Sequence, residues 1–306
     1  MDDVVDVIVP TRNRVELTVR AVTSVLAQTH RRARILVVDD ASDDGAADEL
    51  ARRWRGEERV SLVRRSERGG EALARQSGLE AARAPYVALL DSDDVWLESK
   101  LERQLEALRA SGADLALCWY EWVSPDGARV QPLRRHQAPG GRMGALDFNN
   151  CSAPLVRRSA LLAAGGFGGD RAAGLSTCAS VELFIRLLQR CQVAVVPEVL
   201  VKCLVHPGPR ASDAVRTLRA AEELARVLEA HAPGLRLEPD ALRELELRVA
   251  TRYAQAGELA AAARHLSRAW RLSAPRGLSA STRASLYIAR RAVRWAAKQL
   301  SLYLPH

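Results

Sequence analysis

Two runs of carboxylates are the residues of this 306-residue chain best suited to chemistry: Asp39-Asp40 followed by Asp43-Asp44-Gly45, and Asp91-Ser92-Asp93-Asp94. Aspartates this dense repel one another when nothing binds them and become sensible if a divalent cation neutralises them. Mg2+ and Mn2+ prefer oxygen ligands and commonly bridge one or two carboxylates to a diphosphate. The implied chemistry is departure of a phosphate-bearing leaving group. Either run alone also reads as a solvated turn and helix cap, the usual fate of Asp and Gly clusters; the two together are more specific.

The flanking pattern predicts the elements that position them. Short β-branched runs at 4–9, 34–38, 60–63 and 86–90 alternate with helical spacing at 17–27 and 71–84, and strands alternating with helices mean a parallel sheet. Both acidic runs directly follow a strand, so they converge on the carboxyl edge of that sheet, where open α/β sheets hold their ligands. Further on, 100–110 reads as a helix, 114–122 as a strand, 159–164 and 181–190 as helices, and 193–196 as a strand. From residue 211 onward everything reads as helix, and Tyr253, Gly257, Ala262, Leu266 and Ala269 look like one tetratricopeptide-type hairpin without a second copy. The expected division is a domain over 1–208 and a basic helical domain over 209–306.

Composition bounds the rest. With 48% hydrophobic and 27% charged residues the chain is neither disordered nor fibrous. It has no apolar run long enough to span a bilayer, and its start lacks the pattern of a signal peptide. Five cysteines without a C-x-x-C pair suggest neither a disulfide framework nor a thiolate zinc site. The expected location is the cytoplasm. The net charge of +8 is local: residues 1–206 balance at 28 basic and 28 acidic, while 207–306 carry 17 and 9.

Taken together, these residues resemble the family-two glycosyltransferases of the GT-A fold. The resemblance rests on Val7-Ile8-Val9-Pro10-Thr11-Arg12-Asn13-Arg14, Val37-Val38-Asp39-Asp40-Ala41-Ser42-Asp43-Asp44-Gly45, Ala74-Arg75 and Leu90-Asp91-Ser92-Asp93-Asp94-Val95-Trp96, in the family's usual order. It resumes at Gly165-Gly166-Phe167 and at Val205-His206-Pro207-Gly208, covering residues 4 to about 210. The fold it implies is α/β: a Rossmann-like, mostly parallel sheet flanked by helices, here with a C-terminal all-helical appendage.

The resemblance also implies roles. Asp40 would accept a hydrogen bond from the base of a nucleoside-diphosphate sugar, with Thr11 and Arg12 lining the base and ribose pocket and Pro10 and Arg14 on the same turn. Asp91-Ser92-Asp93 matches the D-x-D motif: Asp93 would be the main ligand of Mn2+ or Mg2+, and Asp91 would lie near ribose or metal. His206 matches a late histidine that joins the metal or diphosphate, and Arg75 sits where a basic residue approaches the donor. UDP is the first expectation for the nucleotide, with GDP and dTDP as alternatives. The acceptor is unspecified.

One departure matters. In the family an acidic pair precedes the helix that starts here near Val181, and its second member is the general base; this chain has Ala179-Ser180 there. Three explanations stay open at this level: Glu182 or Asp170 substitutes, the acceptor is acidic enough to need little help, or the chain is a catalytically impaired nucleotide-sugar-binding or scaffold protein. Past Glu258 no acidic residue remains, while Arg290, Arg291, Arg294 and Lys298 interleave with Leu286, Ile288, Val293 and Trp295. That composition suits peripheral contact with an anionic inner membrane face, or a helix packed on the appendage with solvated arginines. No aromatic stacking platform or nucleic-acid motif points to nucleic acid.

Overall fold

The computed structural model describes residues 3–124, 127–129, 150–167, 179–205, 214–231 and 239–271. The first strand sets the two-sided layout of the core. β1 (Val5–Thr11) is β-branched and wholly buried, and its residues alternate between the two faces of the sheet as a strand requires. Val5, Val7 and Val9 join one core; Ile8 joins the other. Parallel partners flank it, β2 (Ala33–Asp39) on one side and β4 (Tyr86–Leu89) on the other, with β3 (Val60–Arg64) beyond β2.

The second half of the sheet admits two reversed strands. β7 (Leu155–Arg157) runs antiparallel to both β4 and β6 (Leu115–Val123), β8 (Val193–Leu204) runs parallel to β6, and β5 (Asp94–Trp96) closes the edge antiparallel to β8. The order is β3-β2-β1-β4-β7-β6-β8-β5. The α/β class stands: among the described residues four of the seven pairings are parallel, β3-β2-β1-β4 and β6-β8, and only β7 and β5 run against the rest of this mixed sheet.

Helices cover both faces. α1 (Val15–Leu26) and α4 (Lys100–Ser111) place Val22, Val25, Leu101, Leu105 and Leu108 in the core with Val7 and Val9. On the other face α3 (Glu71–Ala81), α5 (Arg158–Ala163) and α6 (Ala179–Leu188) bring Ala74, Leu79, Leu161, Leu183, Phe184 and Leu187 against Ile8 and Val87. α2 (Ala46–Arg53) is short and buries only Ala46 and Leu50. Gly78 of α3 faces the Ile8 side chain with no room for a Cβ; this close approach seats α3, and with it Arg75, deep against β1.

Two buried charges show how the core tolerates polarity. Asp6 on β1 is fully buried and accepts a two-pronged bond from Arg34 (2.8 and 2.9 Å) and the backbone N–H groups of Arg83 and Ala84 (2.6 and 2.7 Å). Lys100 is also fully buried, with Nζ 2.7 Å from Gln104 Oε1 and 3.9 Å from the centre of the Trp96 ring.

Burial pushes the Lys100 ammonium down to about 8. The folded state therefore gives up this proton near pH 8, the unfolded chain only near pH 10.4. Between those values the unfolded state binds more protons, so stability from this group rises with pH by roughly 3 kcal/mol and is at its lowest below pH 8. Denaturant melts of Lys100→Met and of the parent protein should show the parent gaining that much on the variant from pH 7 to 10.5. A constant difference between them would contradict the assignment.

The chain divides into two compact units, the first holding the sheet and α1 to α6. The second consists, among the described residues, of α7 (Ala214–His231), α8 (Pro239–Ala256) and α9 (Leu259–Arg271). Gly257, at φ 90°, makes the turn between α8 and α9, a conformation that favours glycine. Ala250, Ala254 and Ala262 form the small core of this hairpin with Tyr253 and Leu266. Among the described residues no helix is long and apolar enough to cross a membrane. The basic stretch 272–306 lies outside the described residues.

Candidate active site

Three loops at the carboxyl ends of β1, β2 and β4 build the site. Pairing of the first two strands continues past their ends, with the Asp40 N–H donating to Thr11 O at 2.9 Å. Thr11 is buried and shares a 2.7 Å hydrogen bond with the Thr18 hydroxyl, which fixes the strand end on α1. Beyond it Asn13 and Ala41 adopt φ values of 54° and 55°, unusual for residues other than glycine.

The polar groups of these two loops hold one another. Asn13 donates its backbone N–H to Ser42 Oγ and its amide to Asp43 Oδ1 at 2.6 Å, and accepts from the Asp43 N–H. Arg12 reaches Asp43 Oδ2 at 2.8 Å and Ala41 O at 3.3 Å. The Asn13 amide, then the Arg12 charge, hold the Asp43 carboxyl below the usual range.

Asp39 and Asp40 are both buried. Asp39 accepts from the N–H and hydroxyl of Ser42. Asp40 accepts from Arg65 Nε at 2.9 Å and from the N–H groups of Gly69 and Gly70 at 2.8 and 2.7 Å, so it ties the start of α3 to the end of β2. A carboxylate offers about four acceptor directions, and three of those on Asp40 are spent on the protein itself.

The third loop carries Asp91-Ser92-Asp93. Ser152 clamps it from across the sheet, its Oγ accepting the Asp91 N–H at 2.9 Å and donating to Asp94 Oδ2 at 2.6 Å. The Trp96 indole N–H donates to Ser152 O at 2.9 Å, and Asn150 caps the Ser152 N–H. Burial, then the charge of Asp91, pushes the Asp94 carboxyl well up; Asp94 is a structural member of the run. Ser92 is buried.

Cations of the chain meet the other two carboxylates. Arg14 Nη1 lies 3.2 Å from Asp93 Oδ2. Arg75, 2% exposed, sets Nη2 2.5 Å from Asp91 Oδ1 and 3.3 Å from Glu71 Oε1, while Nη1 donates to Ser180 Oγ at 3.0 Å. Its Nε is enclosed without a partner. Burial raises Asp91 to about 6; Arg75 works against that, Glu71 and Asp93 with it.

The structure thus brings Pro10, Thr11, Arg12, Arg14, Asp40, Arg75, Asp91, Ser92 and Asp93 to one edge of the sheet. Asn13 of the same turn joins them, as do Asn150, Ser152, Arg65 and Glu71, which the sequence alone does not mark as site residues. Asp170 and His206 lie outside the described residues.

Glu182 calls for a correction. Its carboxylate is 2% exposed and takes Arg186 Nε on both oxygens at 2.9 Å, while Arg186 also donates to the carbonyls of Ala164 and Gly166. A carboxylate committed in this way docks α6 onto the Gly165-Gly166 turn and is not poised to take a proton from an acceptor.

Among the described residues no group of three or more His, Cys, Asp or Glu side chains is set to hold a metal ion. The donor set still fits Mg2+ or Mn2+, because such ions bind through one or two carboxylates and complete their shell with water and substrate phosphates. Asp91 and Asp93 are two carboxylates at this edge of the kind such an ion takes.

The profile of the glycosyl transferase family 2 matches residues 6–161, half of the chain, including the three loops that follow β1, β2 and β4. The chain belongs to glycosyl transferase family 2. Its GT-A fold is shared with the structure of S. aureus TarS (residues 1–349, with UDP-GlcNAc; TM-score 0.57, 16% identity, 86% of this chain and 89% of that one). It is shared too with mannosyltransferase PcManGT of Pyrobaculum calidifontis, solved with GDP-Man and Mn2+ (TM-score 0.58, 20% identity, 95% and 86%).

In sequence this family-2 chain is 39% identical over 123 residues to the putative teichuronic acid biosynthesis glycosyltransferase TuaG of Bacillus subtilis, 40% of this chain and 49% of that protein. It is 31% identical over 125 residues to WfgD of Escherichia coli, a UDP-Glc:α-D-GlcNAc-diphosphoundecaprenol β-1,3-glucosyltransferase, with the same coverage. The chain spans about half the length of these two relatives.

Proposed function

We propose that this chain is a metal-dependent glycosyltransferase that moves a sugar from a nucleoside-diphosphate sugar to an acceptor with inversion. The observation that carries the reading is the Asp91-Ser92-Asp93 loop, clamped by Ser152 and Asn150 beside the buried Asp39-Asp40 loop and bracketed by Arg14 and Arg75. Donor chemistry is assigned to the domain over 1–208, with 209–306 as an attached basic helical domain.

Thr11, Arg12 and Asp40, with Pro10 and Arg14, form the base and ribose end. Asp93 and Asp91, joined by His206, would hold Mn2+ or Mg2+. When bound, that ion neutralises the departing diphosphate as a Lewis acid. Arg75 keeps Asp91 ionised in an enclosed place and adds positive charge at the donor. UDP is the favoured nucleotide, GDP and dTDP the alternatives; solved neighbours of this fold hold both UDP-GlcNAc and GDP-Man.

A lipid-linked glycan is the acceptor class we favour, on the chemistry of the E. coli relative and on the arginines of the tail. These also support a cytoplasmic enzyme in peripheral contact with the inner membrane face.

Inversion is one in-line displacement at the anomeric carbon, and the acceptor hydroxyl must lose its proton as it attacks. Where the family resemblance puts the base, Ser180 offers a hydroxyl on Arg75 Nη1 instead. With Glu182 engaged by Arg186, either Asp170 takes the proton or the acceptor is acidic enough to manage without a strong base.

A positioned base contributes about 10²- to 10⁴-fold, and Arg75 stands ready to hold a carboxylate at this position in its ionised form. Ser180→Asp is therefore expected to raise the slow transfer of sugar to water by about 10²-fold, read as nucleoside diphosphate released from each of UDP-, GDP- and dTDP-sugars with Mn2+. An unchanged or lower rate would remove position 180 from the base role, and no release from any donor by either protein would count against the transferase reading itself.

A further inference from the structure

A cavity of about 610 Å³ lies at the opposite end of the sheet, where β1 and β4 begin and β7 ends. Asp3, Tyr86, Arg83, Arg157, Arg158 and Ser159 contribute to its wall. β1 alone spans roughly 20 Å at about 3.3 Å per residue, so this cavity is remote from the D-x-D edge and cannot share a diphosphate with it.

Its electrostatics are unbalanced. Asp6, the buried acid beneath it, is neutralised by the fork of Arg34 and uses its remaining capacity to fix the Arg83 and Ala84 backbone. Asp3 is taken by Arg109 at 2.6 Å. Arg157 is partly satisfied by Tyr86 Oη at 3.3 Å, Ala113 O at 3.2 Å and Asp114 at 3.7 Å.

Arg83 and Arg158 have no ion pair among the described residues. Arg83 is exposed and donates Nη1 only to the carbonyls of Glu80 and Ala82, and the Nε of Arg158 is enclosed without any partner while its backbone N–H is pinned to Pro85 O at 2.8 Å. An enclosed donor without a partner is destabilising, and three guanidinium groups around one cavity repel. Both costs are relieved by one kind of occupant.

We propose that this cavity is a second binding site, for a phosphate-class oxyanion carried on a small organic body. Planar guanidinium forks match tetrahedral phosphate oxygens and bind them with charge-assisted hydrogen bonds. The volume exceeds what a bare ion fills and lies in the range of small-ligand pockets. The half-exposed Leu162 gives the organic body an apolar contact beside the buried Tyr86, over whose ring Arg157 lies 5.4 Å from the centre. A soluble phosphomonoester and a phospholipid headgroup share this chemistry.

The test uses the full chain in metal-free buffer at constant ionic strength, and the variants at this cavity separate its binding from any at the aspartate-rich edge. Inorganic phosphate is titrated calorimetrically into the parent, Arg83→Gln and Arg158→Gln; Arg83 is on the surface, so its variant folds even if Arg158→Gln does not, and thermal midpoints report that. The site predicts saturable phosphate binding, weakened about tenfold in either folded variant. Vesicles of phosphatidic acid in phosphatidylcholine, against phosphatidylcholine alone, separate the sources: parent-selective sedimentation that free phosphate competes away assigns the headgroup, and phosphate binding without it assigns a soluble ligand. Parent and Arg83→Gln behaving alike toward both probes, including no binding by either, overturns the proposal.

Discussion

Asp93→Ala is expected to abolish the metal-dependent part of donor binding and to lower turnover by at least about 10³-fold, since metal stabilisation of a leaving diphosphate amounts to several kcal/mol. The variant should nevertheless fold. Arg14, its partner, is 49% exposed in its side chain, and an ion pair with one exposed member is worth under about 1 kcal/mol. Calorimetry with the preferred donor, with and without Mn2+, separates the two effects. The expected result is an unaltered melting profile with no difference between the two titrations. Retained Mn2+-dependent affinity would take Asp93 out of the metal role.

Arg75→Met is expected to be costly in a different way. The substitution leaves Asp91 beside Glu71 and Asp93 without its buried cation, and breaking a buried pair by removing one partner costs about 3–5 kcal/mol. Asp91, at about 6 with Arg75 present, moves further up and stays protonated at neutral pH, which weakens the site as well as the fold. Urea denaturation should show the loss of stability, and donor binding should fall with it at pH 7. A stability change under about 1 kcal/mol would mean that the Arg75–Asp91 pair is not the keystone of this cluster.

The contrast between the two variants comes from how their residues are held. Asp93 sits at the solvent edge of the loop and its role is toward ligand. Arg75 is enclosed, seated by the Gly78–Ile8 contact, and links α3, the D-x-D loop and the first turn of α6 in one network. Its Nη2 contact is how a residue on α3 opposes the burial that pushes the Asp91 carboxyl up.

What sequence could reveal here tracks how local each feature is. β1 to β4, α1, α3 and α4 carry their own hydrophobic period and are legible from it. β5 is only Asp94–Trp96, and it is a strand because β8 pairs with it at Cys203, Lys202 and Val201; nothing within those residues says so. The extension of β8 from residue 196 to Leu204 has the same origin, since Pro197 interrupts the local pattern while β6 accommodates it through register shifts around Trp119. α2 buries too few residues to show a period.

The site divides along similar lines. The aspartate runs and the P-T-R-N-R turn are legible because their residue types are themselves the chemistry. Ser152 and Asn150 are not, because a serine and an asparagine in an unpatterned stretch gain meaning only from lying across the sheet from Asp91 and Asp94. The pairing of Glu182 is legible in principle: an arginine four residues on, at Arg186, is the spacing of a helical ion pair, and that pair is what the residue makes.

The central claim is that the edge formed by Asp40, Asp91 and Asp93 binds a nucleoside-diphosphate sugar together with a divalent cation. Thermal stabilisation by a panel of UDP-, GDP- and dTDP-sugars, each with and without Mn2+, tests it most directly, because a ligand of the native state raises the melting midpoint. The expected result is a shift with one donor class that requires the metal. No shift with any donor, with or without Mn2+, would contradict the claim.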